Sequence, residues 1–500
     1  MTLVEMLERN EREFPNKIAI IYRHTGITYR ELNVTVDKIA NALIAMGLKK
    51  GDRVGLMLPR VPELIVSFLS IAKAQGIVVP INFELLEEKI RTILINILPR
   101  YLIIHENFLD LAKRSLPSGL KIPIIAVGER MNGEEFFWEE MLKGKSSPPP
   151  ALEVKENDVV YLNYTTGSTG NPKGAITTHS HIYWNTVASI DALKMTSNDV
   201  HLCMFAPFAH PHEIFARPLY LGGTMVLVDK IYPKSIAEAI AHHQVTCMMG
   251  LAPMYENLLE VLEHKTYNFG SLRIPESGGM YTRPELIERF KRKVGVPILS
   301  VLGTTETAGI AIANRPGETI ISGSAGKPCK SYEVKIVDEY DMELPKNEIG
   351  EMIFKGPGVV QGYYQDPINT QSCFKNGWYY SGDLGRRDEE NNFYFIERKS
   401  GMMKVAGLKV YPLEIELALL EHPDIKEVAI ISVKDTLRGE IPKAVIVTKN
   451  GVDLTEKEVI AFCRDRLPNY MVPRIVELRE ALPKIGSGKI NKKELQMERI

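Results

Sequence analysis

The chain has 500 residues, more than one hydrophobic core usually supports, so two or more domains are expected. Its 61 Lys and Arg against 62 Asp and Glu leave a formal charge of −1, a balance that argues against a polyanion-binding surface and against nucleic acid as a partner. The five cysteines (Cys203, Cys247, Cys329, Cys373, Cys463) are scattered and show no CxxC spacing, which argues against disulfides and a zinc site and places the chain in a reducing compartment, the cytoplasm.

The opening MTLVEMLERNEREFPNK reads as a charged helix without an apolar signal core. Leu32, Val36, Ile39, Ala40, Leu43 and Ile44 fall at helical spacing and predict a helix over 29–46, with a strand over 52–58 after the Lys-Lys-Gly-Asp turn. The most apolar long window, 64–81, contains Lys73 and Gln75 and ends near Pro80, so no membrane span is expected. KSSPPP at 145–150 is a break before a predicted strand over 159–164. That strand runs into YTTGSTGNPKG at 164–174, where Gly167, Gly170 and Gly174 allow backbone N–H groups to converge on an anion. Thr165, Thr166, Ser168 and Thr169 add hydroxyl donors and Lys173 a compact charge. No Gly-Lys-Ser/Thr closes the loop and AITTH after it looks like strand, so this phosphate cradle is not a Walker A loop. Thr282 and Glu285 form a capping-box pattern at a helix PELIERFKRK that stops at Gly295, and Thr455 with Glu458 forms another, between the strand-like KAVIVTK and RIVEL. Helical and extended patterns alternate throughout, which favours an α/β fold.

Further glycine-rich motifs follow the cradle in order: ESGGM (276–280), LGTTE (302–306), GEMIFKGPGVVQGYY (350–364), GWYYSGDLG (377–385), ERKSGMMKVAGLKVYPLEIE (397–416) and PKIGSGKINKKEL (483–495). With TYREL near residue 28, the series resembles the adenylate-forming superfamily of acyl-CoA synthetases, carrier-linked adenylation domains and luciferases over nearly the whole chain. The resemblance implies a large N-terminal domain of β-sheets with helices plus a distorted barrel, residues 1–399, and a small mobile α+β C-terminal domain, residues 400–500. It also implies ATP/AMP, Mg²⁺ and CoA as cofactors. The cradle, from Thr165 to Gly174, would hold the β- and γ-phosphates; Glu306 would bind Mg²⁺, and Thr305 would contact the α-phosphate. Gly278, Gly279 and Met280 would run along the adenine edge with Leu302, Gly303 and Thr304; Asp383 and Arg398 would hold the ribose. Lys489 would bridge the substrate carboxylate and the α-phosphate, and Gly407 would line the tunnel for the thiol.

Three positions depart from the family pattern. Leu302 stands where an aromatic residue usually stacks on adenine, Ser400 where the hinge usually has Asp or Lys, and Lys492 where Arg is common. APFAHPHEIF matches a Pro-x-x-His element through Pro207 and His210; His210 would face the acid carboxylate or gate the pocket, with a satisfied core residue the alternative for either histidine and the preferred reading of His212. By resemblance the acid pocket lies among 205–215, 250–255 and 278–302. Phe205, Phe208, Met248, Met249, Met254 and Met280 would give it a soft apolar wall. The expected activity is ligation of a fatty, alicyclic or aromatic carboxylic acid to CoA through an acyl-adenylate. A freestanding adenylation enzyme loading a carrier protein is the alternative, a luciferase-like or a non-catalytic relative finds less support, and homodimer formation is left open.

Overall fold

A computed structural model describes residues 1–128, 136–146, 149, 152–165, 172–449, 452, 454–484 and 490–497. The chain forms two compact units, Met1–Val334 with Phe354–Tyr380, and Lys335–Ile353 with Ser381–Ile500. Helices and strands alternate as the sequence predicts: a helix at Leu3–Glu13, a helix at Tyr29–Ala45 and a strand at Arg53–Met57. Thr2 with Glu5, and Thr28 with Glu31, close capping boxes on those two helices, each hydroxyl taking an N–H that the helix start would otherwise leave unpaired.

The first unit is built on two sheets. One has nine strands, parallel through its middle, where Val200–Cys203, Cys247–Gly250, Ile274–Ser277 and Leu299–Thr304 occur in that spatial order among others. The other has seven and ends in the antiparallel hairpin Val159–Thr165 with Lys173–Thr178. Helices Tyr29–Ala45, Pro62–Lys73 and His212–Leu221 bury residues in one apolar cluster with strands of both sheets. Phe68 stands at its centre, 5.5 Å from Tyr161 and 5.0 Å from Phe215, ring edge to ring face. The apolar window at 64–81 is therefore a core helix and strand, and Lys73 within it is buried against Asp37 (2.6 Å) and Glu8 (2.9 Å). Among the described residues no helix is long and apolar enough to cross a membrane.

One expectation fails locally. The helix Pro284–Val294 has Arg283 at its N-cap and no side-chain cap, because the Thr282 hydroxyl is buried and bonded to Ser277 Oγ at 2.7 Å. Pro284 at the first helical position lacks an N–H, so one fewer donor needs capping there. The second unit packs a five-stranded sheet (Met403–Val405, Leu408–Val410, Ile425–Asp435, Gly439–Thr448, Ile475–Leu478) against helices Pro412–Leu420 and Glu456–Arg464, the latter with the predicted Thr455–Glu458 box.

Candidate active site

Because the central strands of the nine-stranded sheet run parallel, the segments leaving their C-terminal ends gather along one edge, the usual place for a ligand crevice. These segments are 204–211, 250–252, 278–283 and 303–307. Close approach there depends on glycine. A Cβ on Gly278 would lie 2.8 Å from Met249 Cε, and one on Gly303 would lie 2.0 Å from the Gly309 carbonyl oxygen. Gly279 takes φ +75°, and Met280 and Leu302 are half-buried beside this edge.

The two ends of the cradle lie on an antiparallel strand pair. Thr165 and Lys173 are direct cross-strand partners, as are Tyr164 and Gly174, so both ends of the loop meet at one rung. Gly174 is required by the ring of Tyr164, which a Cβ would approach to 2.8 Å. Thr166, Gly167, Ser168, Thr169 and Gly170, with the side chain of Thr165, lie outside the described residues. After Lys173 the chain continues as strand to Thr178, as expected of a loop that is not a Walker A.

Lys173, Tyr363 and Glu306 form a connected series. The Lys173 ammonium sits 5.4 Å from the centre of the Tyr363 ring, and the Tyr363 hydroxyl donates to Glu306 Oε1 at 2.6 Å. Tyr363 is placed by backbone pairing: it bridges to Ala175, Ile176 N–H donates to Gly362 O at 3.0 Å, and Tyr364 N–H to Gly174 O at 2.8 Å. Burial, then the adjacent Glu306 carboxylate, holds the Tyr363 hydroxyl far above its ordinary pKa, so it remains a donor. Glu306 is 7% exposed, on a short 3-10 turn at Thr305–Thr307 that Thr304 caps. Thr305 Oγ1 lies 3.5 Å from His210 Nε2. Both His212 ring nitrogens are engaged: the Tyr161 hydroxyl donates to its Nδ1 at 2.6 Å and its Nε2 donates to Ala308 O at 2.9 Å, which fixes a neutral tautomer whose pKa burial lowers. It is a core histidine, as expected.

In the second unit Asp383 and Arg398 are cross-strand partners, joined Oδ1 to Nε at 2.7 Å, with Asp383 3% exposed. Beside them Lys399 pairs with Glu351 at 2.7 Å. Gly407, φ +84°, follows Ala406, φ +50°, in the two-residue turn between Val405 and Leu408, and nothing lies within 4 Å of where its Cβ would be. That turn needs positive φ at both positions. Lys489 lies outside the described residues, whereas Lys484 and Ile490 on either side pair in a β-bridge. Lys492, near that bridge, is bonded to Glu416 at 2.7 Å.

The structure thus assembles Lys173, Glu306, Thr305 and His210 in one unit and Asp383 with Arg398 in the other. It adds Tyr363, from the Gly-Tyr-Tyr at 362–364, whose role the sequence pattern does not signal. A family model described as AMP-binding enzyme matches residues 7–364, and its AMP-binding enzyme C-terminal domain counterpart matches 414–489. The chain belongs to the AMP-binding enzyme family. This AMP-binding enzyme is 31% identical to a feruloyl-CoA synthase of Amycolatopsis sp over 98% of its own length and 97% of that protein's. Its fold is similar to that of the anthranilate CoA ligase AuaEII in complex with anthranoyl-AMP (TM-score 0.92, 27% identity, covering 100% and 97% of the two chains). It is also similar to the o-succinylbenzoate CoA synthetase MenE of Bacillus subtilis in complex with ATP and magnesium ion (TM-score 0.85, 26% identity, 98% and 99%).

Proposed function

We propose that this protein activates a fatty, alicyclic or aromatic carboxylic acid with ATP and transfers the acyl group to CoA, releasing AMP and pyrophosphate. In the first step a carboxylate oxygen of the acid attacks the α-phosphorus, the bond from that phosphorus to the α,β-bridging oxygen breaks, and pyrophosphate leaves. In the second the CoA sulfur attacks the acyl carbonyl and AMP leaves. The observation that supports this reading is the Lys173–Tyr363–Glu306 series next to the cradle, a cation and a carboxylate of the kind that a leaving magnesium pyrophosphate needs.

The site suits magnesium. Mg²⁺ characteristically takes one or two carboxylates and completes its shell with phosphate oxygens and water. Glu306 would be that carboxylate, with Tyr363 bonded to one of its oxygens. When bound, the ion neutralises charge on the phosphate oxygens. Lys173 would hold the leaving group, Thr305 the α-phosphate and His210 the acid carboxylate. Asp383 with Arg398 would hold the ribose, Gly278, Gly279, Met280 and Leu302 the adenine, and Lys489 the attacking carboxylate. The proposal includes a boundary at 399/400, with Ser400 at the hinge and residues 400–500 moving between the two steps, so that the turn at Gly407 replaces Lys489. It also includes a cytoplasmic location, which the five free cysteines suit, and leaves a homodimer to measurement of the solution mass.

A panel of carboxylic acids assayed for AMP release, first with CoA and then with a pantetheinylated carrier protein, tests the reading. Acid-dependent AMP release with acyl-CoA as product is expected. Acyl transfer to the carrier alone would replace CoA as the acceptor, and release of ADP would sink the adenylate mechanism.

A further inference from the structure

Beside the turns at 278–280 and 303–309 the first unit contains a cluster of charges that neither step of the proposed reaction uses. Arg217, on the helix His212–Leu221, donates from Nη1 to both oxygens of Glu276 (2.9 and 2.8 Å) and from Nη2 to Glu213 Oε2 (2.7 Å). The side chains of Arg217, Glu276 and Glu213 are 6%, 2% and 5% exposed. Held together they satisfy one another, but separating them leaves a charge stranded away from water. The guanidinium, engaged by two carboxylates, is not a receptor for a second substrate carboxylate.

The cluster adjoins both turns that frame the site. Glu276 lies beside Met249 in the sheet register, two residues before Gly278. Arg217 Nη2 is 3.6 Å from Met249 Sδ, and Met249 Cε is the atom that a Cβ on Gly278 would strike. On the other side, a Cβ on Gly309, three residues after Glu306, would lie 2.2 Å from Glu213 Oε1. The cluster, with His201, Met204, Phe205, Met248 and Met249, lines a cavity that has room for about one water molecule. A wall of Met and Leu could part around a hydrocarbon tail by changing rotamers. A wall of paired buried charges cannot part without stranding one of them.

We propose that Glu213, Arg217 and Glu276 form the end wall of the acid pocket and make the enzyme selective for compact acids, short-chain or carrying a single ring, against long-chain fatty acids. This rests on the ligase reading above and narrows its substrate class. The test is kcat/KM for AMP release with benzoate, hexanoate and palmitate in the presence of CoA, in the wild type and in the variant E213A/R217A/E276A, with circular dichroism to confirm its fold. The wild type should use palmitate at least about 100-fold less efficiently than the better of the two compact acids. In the folded variant the palmitate-to-hexanoate ratio should rise by about 10-fold or more. Palmitate used as well as hexanoate by the wild type would overturn the proposal alone, as would a folded variant with an unchanged ratio. If the variant does not fold, the wild-type series decides by itself. AMP release with no acid of any class would overturn the ligase reading, and this proposal with it.

Discussion

Glu306 and Tyr363 make separable predictions because one is read as touching the cation and the other as touching only Glu306. Glu306→Gln keeps a hydrogen-bond acceptor for the tyrosine but removes the charge, so kcat should fall by about 100-fold or more and the magnesium concentration for half-maximal rate should rise. Tyr363→Phe removes a bond to a buried carboxylate, an interaction of roughly 1.5–3 kcal/mol, and should lower kcat by about 10-fold with a smaller change in the magnesium requirement. Magnesium titrations of both variants read the difference. Equal effects on the magnesium requirement would remove the distinction drawn between the two residues. Glu306 was legible in LGTTE, but Tyr363 was not, because its place is set by strand pairing with Ala175 far away in sequence. The Glu213–Arg217–Glu276 cluster was hidden for the same reason: one member is a helical turn from Arg217, the other is on a distant strand.

Helix starts carry a second kind of prediction, about pH. His179 Nδ1 accepts from the Leu3 N–H at 3.2 Å, tying the first helix to His179–Leu193, and His181 Nδ1 accepts from the Thr178 N–H at 3.1 Å. Both bonds need a neutral ring, and burial lowers both pKa values to about 4; burial likewise lowers His201 to about 3. The unfolded chain binds these protons near its ordinary value of about 6.5, so unfolding takes up protons between that pH and about 4. Their contribution is complete above about pH 6.5 and is lost as the pH falls, by up to about 1.4 kcal/mol per pH unit for each histidine. The melting temperature should therefore drop between pH 7 and 4.5, and His181→Gln should flatten that drop; a profile unchanged in the variant would contradict the assignment. The capping boxes at Thr28 and Thr455 could be read from sequence since both partners lie within one turn. The pattern at Thr282 misled because the hydroxyl had a buried competitor in Ser277, which local spacing does not show.

The family resemblance carried by the glycine-rich motifs anticipated a large α/β part followed by a smaller α+β part, whereas periodicity alone pointed only to the helix–strand alternation of an α/β fold. Which strands neighbour one another was not legible, and that arrangement is what joins Lys173 to Glu306 through Tyr363. In the proposed reaction Lys489 serves the first step alone. Lys489→Ala should therefore lose adenylate formation yet convert a supplied acyl-adenylate and CoA to acyl-CoA at a rate within about 10-fold of the wild type. Comparable loss of both steps would argue against movement of the C-terminal part between them. In the proposed reaction an acyl-adenylate forms and pyrophosphate leaves before the thiol takes part. Exchange of labelled pyrophosphate into ATP, measured with an accepted acid and without CoA, tests it most directly. Exchange that requires both the acid and magnesium and is lost in Glu306→Gln is expected; no exchange with an acid that the same preparation converts to its CoA thioester would overturn the adenylate mechanism.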